Sequence, residues 1–231
     1  MRQTSTTVTA ALACLALGAA LAGCTHGASA EAPSPSKEPT ARQLIDTAND
    51  TMKALTSVTI DANSFDASGE DRSTRLRTDL KGRCAYKTTW PAGPRIEQIR
   101  IGETDYVRTN RAYDKRWPGK GGPDTHDSNR WITSPSSEAP DNGLADCTWD
   151  FTTFGVAKKR GPSEVDGRPA IRLIVTDKED EGGAYNFHIA TEGKPYILKV
   201  VYEGAEYHSV TTFSAFDEPL DVRPPAKAVG G

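Results

Sequence analysis

From Val58 to Phe216 the apolar residues of this chain recur mainly at every second position, which is the period of a half-buried β-strand. Turn signals such as Asp-Gly and Glu-Gly separate the alternating segments, and sequential strands joined by short turns form an antiparallel sheet. A sheet this large coils around one concave face, because strands twist. We predict about ten strands, within residues 58–62, 76–80, 86–90, 95–101, 105–109, 130–133, 158–164, 170–176, 184–190, 196–202 and 206–216.

One amphipathic helix precedes the strands. Thr40 is available as its cap, and its apolar stripe is Leu44, Ile45, Ala48, Met52 and Leu55. We expect the opposite, polar side to hold Asp46, Asn49, Asp50 and Lys53. A weaker helical pattern covers residues 144–154. The concave face of the sheet is therefore covered by the first helix, by this second segment or by a ligand.

The N-terminus has the pattern of an export signal. Residues 1–23 contain one early cation, Arg2, and then an apolar run too short to span a bilayer. The end of this segment, Leu21-Ala22-Gly23-Cys24, resembles a bacterial lipobox, which predicts cleavage before Cys24 and acyl chains on its thiol. The alternative is a plain secretory signal with an incidental cysteine. Residues 24–39 are rich in Ser, Pro and Ala and predict a flexible linker from the outer face of the cytoplasmic membrane.

The cysteines predict one disulfide bond. The chain has four, of which Cys14 is removed with the signal and Cys24 is lipidated. An exported domain that retains two cysteines, Cys84 and Cys147, is expected to pair them. Two buried free thiols are the alternative.

Charge and motifs exclude several classes of function. The net charge is −3, and the mature chain has 27 Lys and Arg against 31 Asp and Glu, so a nucleic-acid partner is not expected. No nucleophile elbow, zinc-protease motif or phosphate-binding loop occurs, so we expect no enzyme and no cofactor. His188 and His208 are a weak metal candidate, and Asp177 to Gly182 is better explained as an acidic turn than as a calcium loop.

Several short motifs carry a family resemblance. They are Lys81-Gly82-Arg83-Cys84, Thr104-Asp105-Tyr106-Val107-Arg108, Asp146-Cys147 and the ending from Phe213 to Val222. In their order behind a lipobox, these motifs resemble those of actinobacterial lipoproteins of the LppX and LprG type. The resemblance implies an α+β fold in which a strongly bent antiparallel half-barrel wraps around one or two helices, as in the LolA and LolB carriers. It implies one domain over residues 40–225, with a tail at 226–231.

The same resemblance implies a cavity that takes the acyl chains of a lipid or glycolipid. The strand alternation predicts six residues that line it, namely Leu76, Leu80, Ile99, Ile101, Val107 and Trp131. The predicted function is that of a membrane-anchored, non-enzymatic envelope protein that binds or carries an acylated molecule. The alternative is a surface-displayed interaction or sensor domain of the same fold, whose cavity is filled and whose partner is an envelope protein.

Overall fold

The computed structural model describes residues 38–67, 71–120, 129–138 and 144–230. The predictions for the export signal, for Cys24 and for nearly all of the linker lie outside these residues. Residues 39–231 form one compact unit.

In the described part of the chain, twelve strands form one sheet, which confirms the predicted bent antiparallel α+β architecture. Along the sheet their order is β12-β6-β5-β4-β3-β2-β1-β11-β10-β9-β8-β7, and every pair is antiparallel except β12 with β6. The pairing of β1 with β11 joins the two halves of the chain. The strands are β1 (Val58–Asp66), β2 (Arg72–Thr78), β3 (Arg83–Thr89), β4 (Arg95–Ile101), β5 (Thr104–Thr109), β6 (Ile132–Pro135), β7 (Val156–Val165), β8 (Arg168–Thr176), β9 (Ala184–Ala190), β10 (Ile197–Glu203), β11 (Tyr207–Ser214) and β12 (Val229–Gly230).

The predicted helix is present as α1 (Ala41–Lys53) and packs inside the curve of the sheet. Thr40 and Gln43 form a reciprocal capping box that satisfies backbone N–H groups at its start. Its apolar stripe is buried in one core with side chains of β1, β2, β8, β9, β10 and β11. The face of the sheet that contacts α1 is called the concave face below, and the opposite face is called the convex face.

One polar residue of α1 is buried, although the sequence predicted that it would be exposed. Asn49 was expected among the exposed polar residues, but it is 5% exposed. Its side-chain oxygen accepts a hydrogen bond from the Thr153 hydroxyl at 3.1 Å. The second face of α1 is therefore covered too, by the chain around residue 153.

The predicted helix over residues 144–154 is wrong. These residues are extended or bent and cross the concave face as a strap. The backbone N–H and C=O of Ala145 pair with the Gln98 side chain at 2.8 and 3.0 Å, which replaces the bonds a helix would supply. Cys147 has a φ of 57°, which is incompatible with a continuous right-handed helix.

The short helix α2 (Arg111–Arg116) was not predicted. Asn110 caps it by accepting a hydrogen bond from the Tyr113 N–H at 3.0 Å. Only Tyr113 is buried, and it packs with Ile96 and Val107 on the concave face. Six residues with one buried side chain give no detectable helical period, which is why the pattern was missed.

Candidate functional site

The part of the concave face on β4 and β5 is filled by a buried polar network. Arg100 binds Asp105 through two hydrogen bonds of 2.8 and 2.7 Å, and Gln98 donates to the same carboxylate at 2.9 Å. The hydrogen bond with Asp105 raises the pKa of Arg100, so this guanidinium stays charged. Removing one partner of such a buried pair would leave an uncompensated charge. An apolar ligand is therefore excluded from this end of the concave face.

The network also holds the beginning of the strap. Gln98 pairs with the backbone of Ala145, and Arg100 reaches the Asp146 carboxylate at 3.2 Å. Cys147, the next residue, forms the predicted disulfide bond with Cys84 of β3, with the two Cα atoms 5.4 Å apart. The Thr78 hydroxyl donates to the Cys147 carbonyl. The strap is thus fixed covalently and by polar contacts over residues 145–147.

Beyond Cys147 the strap and the sheet together line an apolar groove of about 220 Å³. Phe151 of the strap is buried and contacts Phe213 of β11, with ring centroids 5.9 Å apart. The strap forms one wall and β9, β10 and β11 form the other. The apolar side chains along the groove are Trp149, Phe151, Phe187, Ile197, Val200 and Phe213, and small polar ones are Ser209 and Thr211.

A second depression of about 300 Å³ adjoins the groove and forms its mouth. The two share Thr152, Thr153, Tyr185 and Phe187. The aromatic ring of Phe154 at this mouth is 70% exposed, which is unusual for a phenylalanine and marks an apolar surface open to solvent.

The far side of the mouth is acidic, with Asp177, Glu179 and Asp180 on the turn between β8 and β9. Burial and then the charges of Asp180 and Asp177 raise the pKa of Tyr185 above its ordinary value. The phenol of Tyr202 donates to Asp180 at 3.1 Å. The site is therefore an apolar groove with an aromatic and acidic entrance.

The six residues predicted to line a cavity do not lie together. Leu76 and Val107 are buried on the concave face. Leu80, in the turn after β2, has a positive φ of 62° and packs against the edge of the core. Ile99, Ile101 and Trp131 lie on the convex face, where Trp131 and Ile99 line a shallow depression. None of the six lines the apolar groove, and ligand binding by any of them stays a prediction.

The residues that do line the groove were missed, although their strands were predicted. Phe187, Val200 and Thr211 face each other across β9, β10 and β11 because the strand register pairs them directly. Alternation within each strand showed which residues share a face, but not which face carries α1. The candidates chosen from the alternation lie on or near the central strands, and this chain fills the concave face of that region with Gln98, Arg100 and Asp105.

The other candidates have ordinary structural surroundings. His188 lies on the convex face and hydrogen-bonds Ser163 at 3.1 Å, while His208 contacts the Phe65 ring. Asp177 accepts a hydrogen bond from the Glu179 N–H, as in a local turn. No group of three metal-ligating side chains occurs among the described residues. Within the same residues, no helix is both long and apolar enough to cross a bilayer.

Comparison with known proteins gives structural matches only. No protein-family model matches the chain, and no curated protein matches its sequence. The crystal structure of LprF from Mycobacterium bovis is similar at a TM-score of 0.54 and 13% identity, over 81% of this chain and 97% of that one. The lipoprotein LppX from Mycobacterium tuberculosis is similar at 0.49 and 15%, over 78% and 96%. The MucA/MucB complex structure from Pseudomonas aeruginosa is similar at 0.40 and 13%, over 80% and 59%.

At this identity the similarity to LprF establishes the fold. It confirms the predicted resemblance to the LppX and LprG type at that level, together with the LolA-like half-barrel. The TM-scores of the other two structures are too low to support an argument.

Proposed function

We propose that this chain is an exported, lipid-anchored envelope protein that binds an acyl-bearing molecule in the apolar groove and has no enzymatic activity. The observation that carries this proposal is the groove itself, an apolar channel between the strap and β9–β11 that opens beside the exposed Phe154. A hydrocarbon chain needs a concave apolar surface, and no catalytic constellation is required to hold it.

The dimensions of the groove favour binding of one acyl chain over binding of several. Volumes of about 220 Å³ for the groove and about 300 Å³ for its mouth lie near the lower end of the range for small-ligand sites. The rest of the concave face is occupied by α1, by the strap and by the polar network around Arg100. A single acyl chain therefore fits best.

A chain-length series tests this proposal. The mature protein with Cys24→Ser would be titrated with a dansyl-labelled fatty acid, which would then be displaced by octanoic, decanoic, dodecanoic and tetradecanoic acid. Each buried methylene contributes about 0.8 kcal/mol, so affinity should rise about 15-fold for every two carbons until the groove is full. Absence of binding, or an affinity independent of chain length, would contradict the proposal.

The membrane anchor is tested separately. Fractionation of cells that express wild type or Cys24→Ser should show the wild type in the membrane fraction and the variant released, because stable anchoring needs more than one acyl chain. Labelled fatty acid should be incorporated only by the wild type. A Cys24→Ser protein that stays in the membrane fraction and is still labelled would contradict the anchor.

A filled concave face supports the second candidate, an interaction or sensor domain with an envelope protein as partner. Ile45, Ala48 and Met52 of α1 are at most 1% exposed and occupy much of the space that a larger ligand would need. In that case the exposed rings of Phe154 and Trp149 would contact the partner, and the chain-length series would show no binding.

A further inference from the structure

The convex face of the sheet carries a charge that the composition does not predict. Its described strands place ten Lys and Arg and only three carboxylates on this side, according to the strand register. Of the 27 cations and 31 carboxylates in the mature sequence, this leaves 17 and 28 elsewhere. We call this surface the cationic face; its cations are Arg75, Arg77, Arg83, Lys87, Arg95, Arg108, Lys158, Arg168, Arg172 and Lys199, and its carboxylates are Asp61, Glu97 and Glu203.

Much of this charge is open to solvent and incompletely neutralised. On the central strands the side chains of Arg75 and Lys87 are 61% and 51% exposed. Glu97 is shared by three cations, with Arg108 donating to it at 2.7 Å and with Lys87 and Arg95 at 3.9 and 3.8 Å. One carboxylate cannot neutralise three cations, so this region keeps a positive field.

A second cationic group extends the face to the other half of the sheet. Arg172, His188 and Lys199 are directly opposite one another on β8, β9 and β10. Burial and then the charges of Lys199 and Arg172 lower the pKa of His188, so the cations of this group are Arg172 and Lys199. The row continues through Thr212 and Asp61 to Arg75, Lys87, Glu97 and Arg108, so the two cationic groups lie on one row across nine strands, a contour of about 40 Å. Between the groups, Asp61 pairs with Arg75 at 3.6 Å.

We propose that the cationic face docks the domain on anionic phospholipid headgroups at the surface of a bilayer. A net positive face on a net negative protein gives the molecule a strong charge asymmetry, which orients it at a negative surface. Because the attraction acts over a Debye length of about 8 to 10 Å, the curved sheet does not need contact along its whole width. Lys and Arg side chains are also long enough to reach headgroups beside the contact line.

The proposed lipid anchor would hold the domain beside a bilayer and so make this docking effective. The choice of a membrane as the partner rests on that anchor. The predicted linker, residues 24–39, has an expected end-to-end distance of about 20 Å, comparable with the radius of the domain. Such a tether holds the domain at a high effective concentration near the bilayer. Since the groove is on the concave face, docking points it away from the membrane surface.

Vesicle sedimentation of the unlipidated Cys24→Ser mature chain tests the cationic face without the anchor. We expect binding at low salt to vesicles that contain phosphatidylglycerol, no binding to pure phosphatidylcholine vesicles, and release at about 0.5 M salt. The triple variant Arg75→Glu, Lys87→Glu and Arg172→Glu should bind at least tenfold more weakly. These three side chains are exposed on the convex face, so the fold should be retained, as circular dichroism would verify.

The matched control carries the same change of net charge outside the cationic face. Lys53, Lys115 and Lys178 are exposed on α1, on α2 and on the turn after β8. With all three changed to Glu, vesicle binding should fall less than threefold. Equal losses in the two triple variants, equal binding to neutral vesicles, or no binding to anionic vesicles at low salt would overturn the proposal.

Binding of the dansyl-labelled fatty acid separates this result from the proposed function. The groove and the cationic face are on opposite sides of the sheet, so the charge-reversal variant should keep wild-type affinity for the probe. A protein that binds anionic vesicles but no fatty acid would refute the groove proposal alone. A protein that binds the fatty acid but no vesicle would refute only the cationic face.

Discussion

Thr211→Phe is expected to weaken binding of the dansyl-labelled fatty acid about 100-fold. Thr211 lies half-buried on β11, is paired with Val200 of β10 and lines the apolar groove. A phenylalanine ring at this position occupies the space of several methylenes of the ligand. Loss of three to four buried methylenes at about 0.8 kcal/mol each corresponds to a decrease of about this size.

The neighbouring residue provides a matched control. Thr212 is on the same strand, but its side chain is on the convex face, where its hydroxyl donates to the Asp61 carbonyl at 3.4 Å. Thr212→Phe introduces the same ring into the same strand and should leave the affinity within about threefold, since it does not reach the groove. Fluorescence titration of both variants measures the difference, and thermal melts verify that both are folded. Equal affinities for the two variants would show that the acyl chain binds elsewhere.

The main architecture could be predicted because it depends on local patterns. The alternation in β8 to β11 and the stripe of α1 each follow from the period of an extended or helical backbone. The cysteine pair followed from the export signal and from simple counting. None of these predictions requires knowledge of distant contacts.

The strap could not be predicted, because its conformation depends on contacts far along the chain. Its backbone at Ala145 pairs with Gln98, 47 residues away, and its second half rests on Phe213. Periodicity in residues 144–154 reports only that several side chains are buried. The pattern does not show that these side chains pack against the sheet on one side and α1 on the other.

The sequence also did not show which residues of the central strands lie on the concave face and which on the convex face. Gln98, Arg100 and Asp105 are polar but buried, whereas Ile99 and Ile101 are apolar but lie on the convex face. The usual assignment of apolar residues to the interior is reversed here, because the buried polar residues satisfy one another. The same reversal places arginines beside apolar residues on the convex face. The net charge of the whole chain therefore does not predict the charge of this face.

Removal of the disulfide bond is expected to lower the free energy of unfolding by about 4 kcal/mol. The bond closes a loop with a sequence separation of 63 residues, and the chain-entropy model gives this value for a loop of that length. The double variant Cys84→Ala and Cys147→Ala avoids a reactive free thiol. Urea unfolding monitored by the fluorescence of the four tryptophans would measure the change.

The same variant should lose affinity for the fatty acid even where it remains folded. The disulfide bond fixes Cys147, and the groove wall begins two residues later at Trp149. Without the bond, the strap is held at this point by the Ala145 contacts with Gln98 and by the hydrogen bond between Thr78 and Cys147. Wild-type protein treated with a reducing agent should reproduce both effects. Because the strap forms one wall of the groove, a double variant with reduced stability but wild-type affinity would show that the acyl chain does not contact the strap.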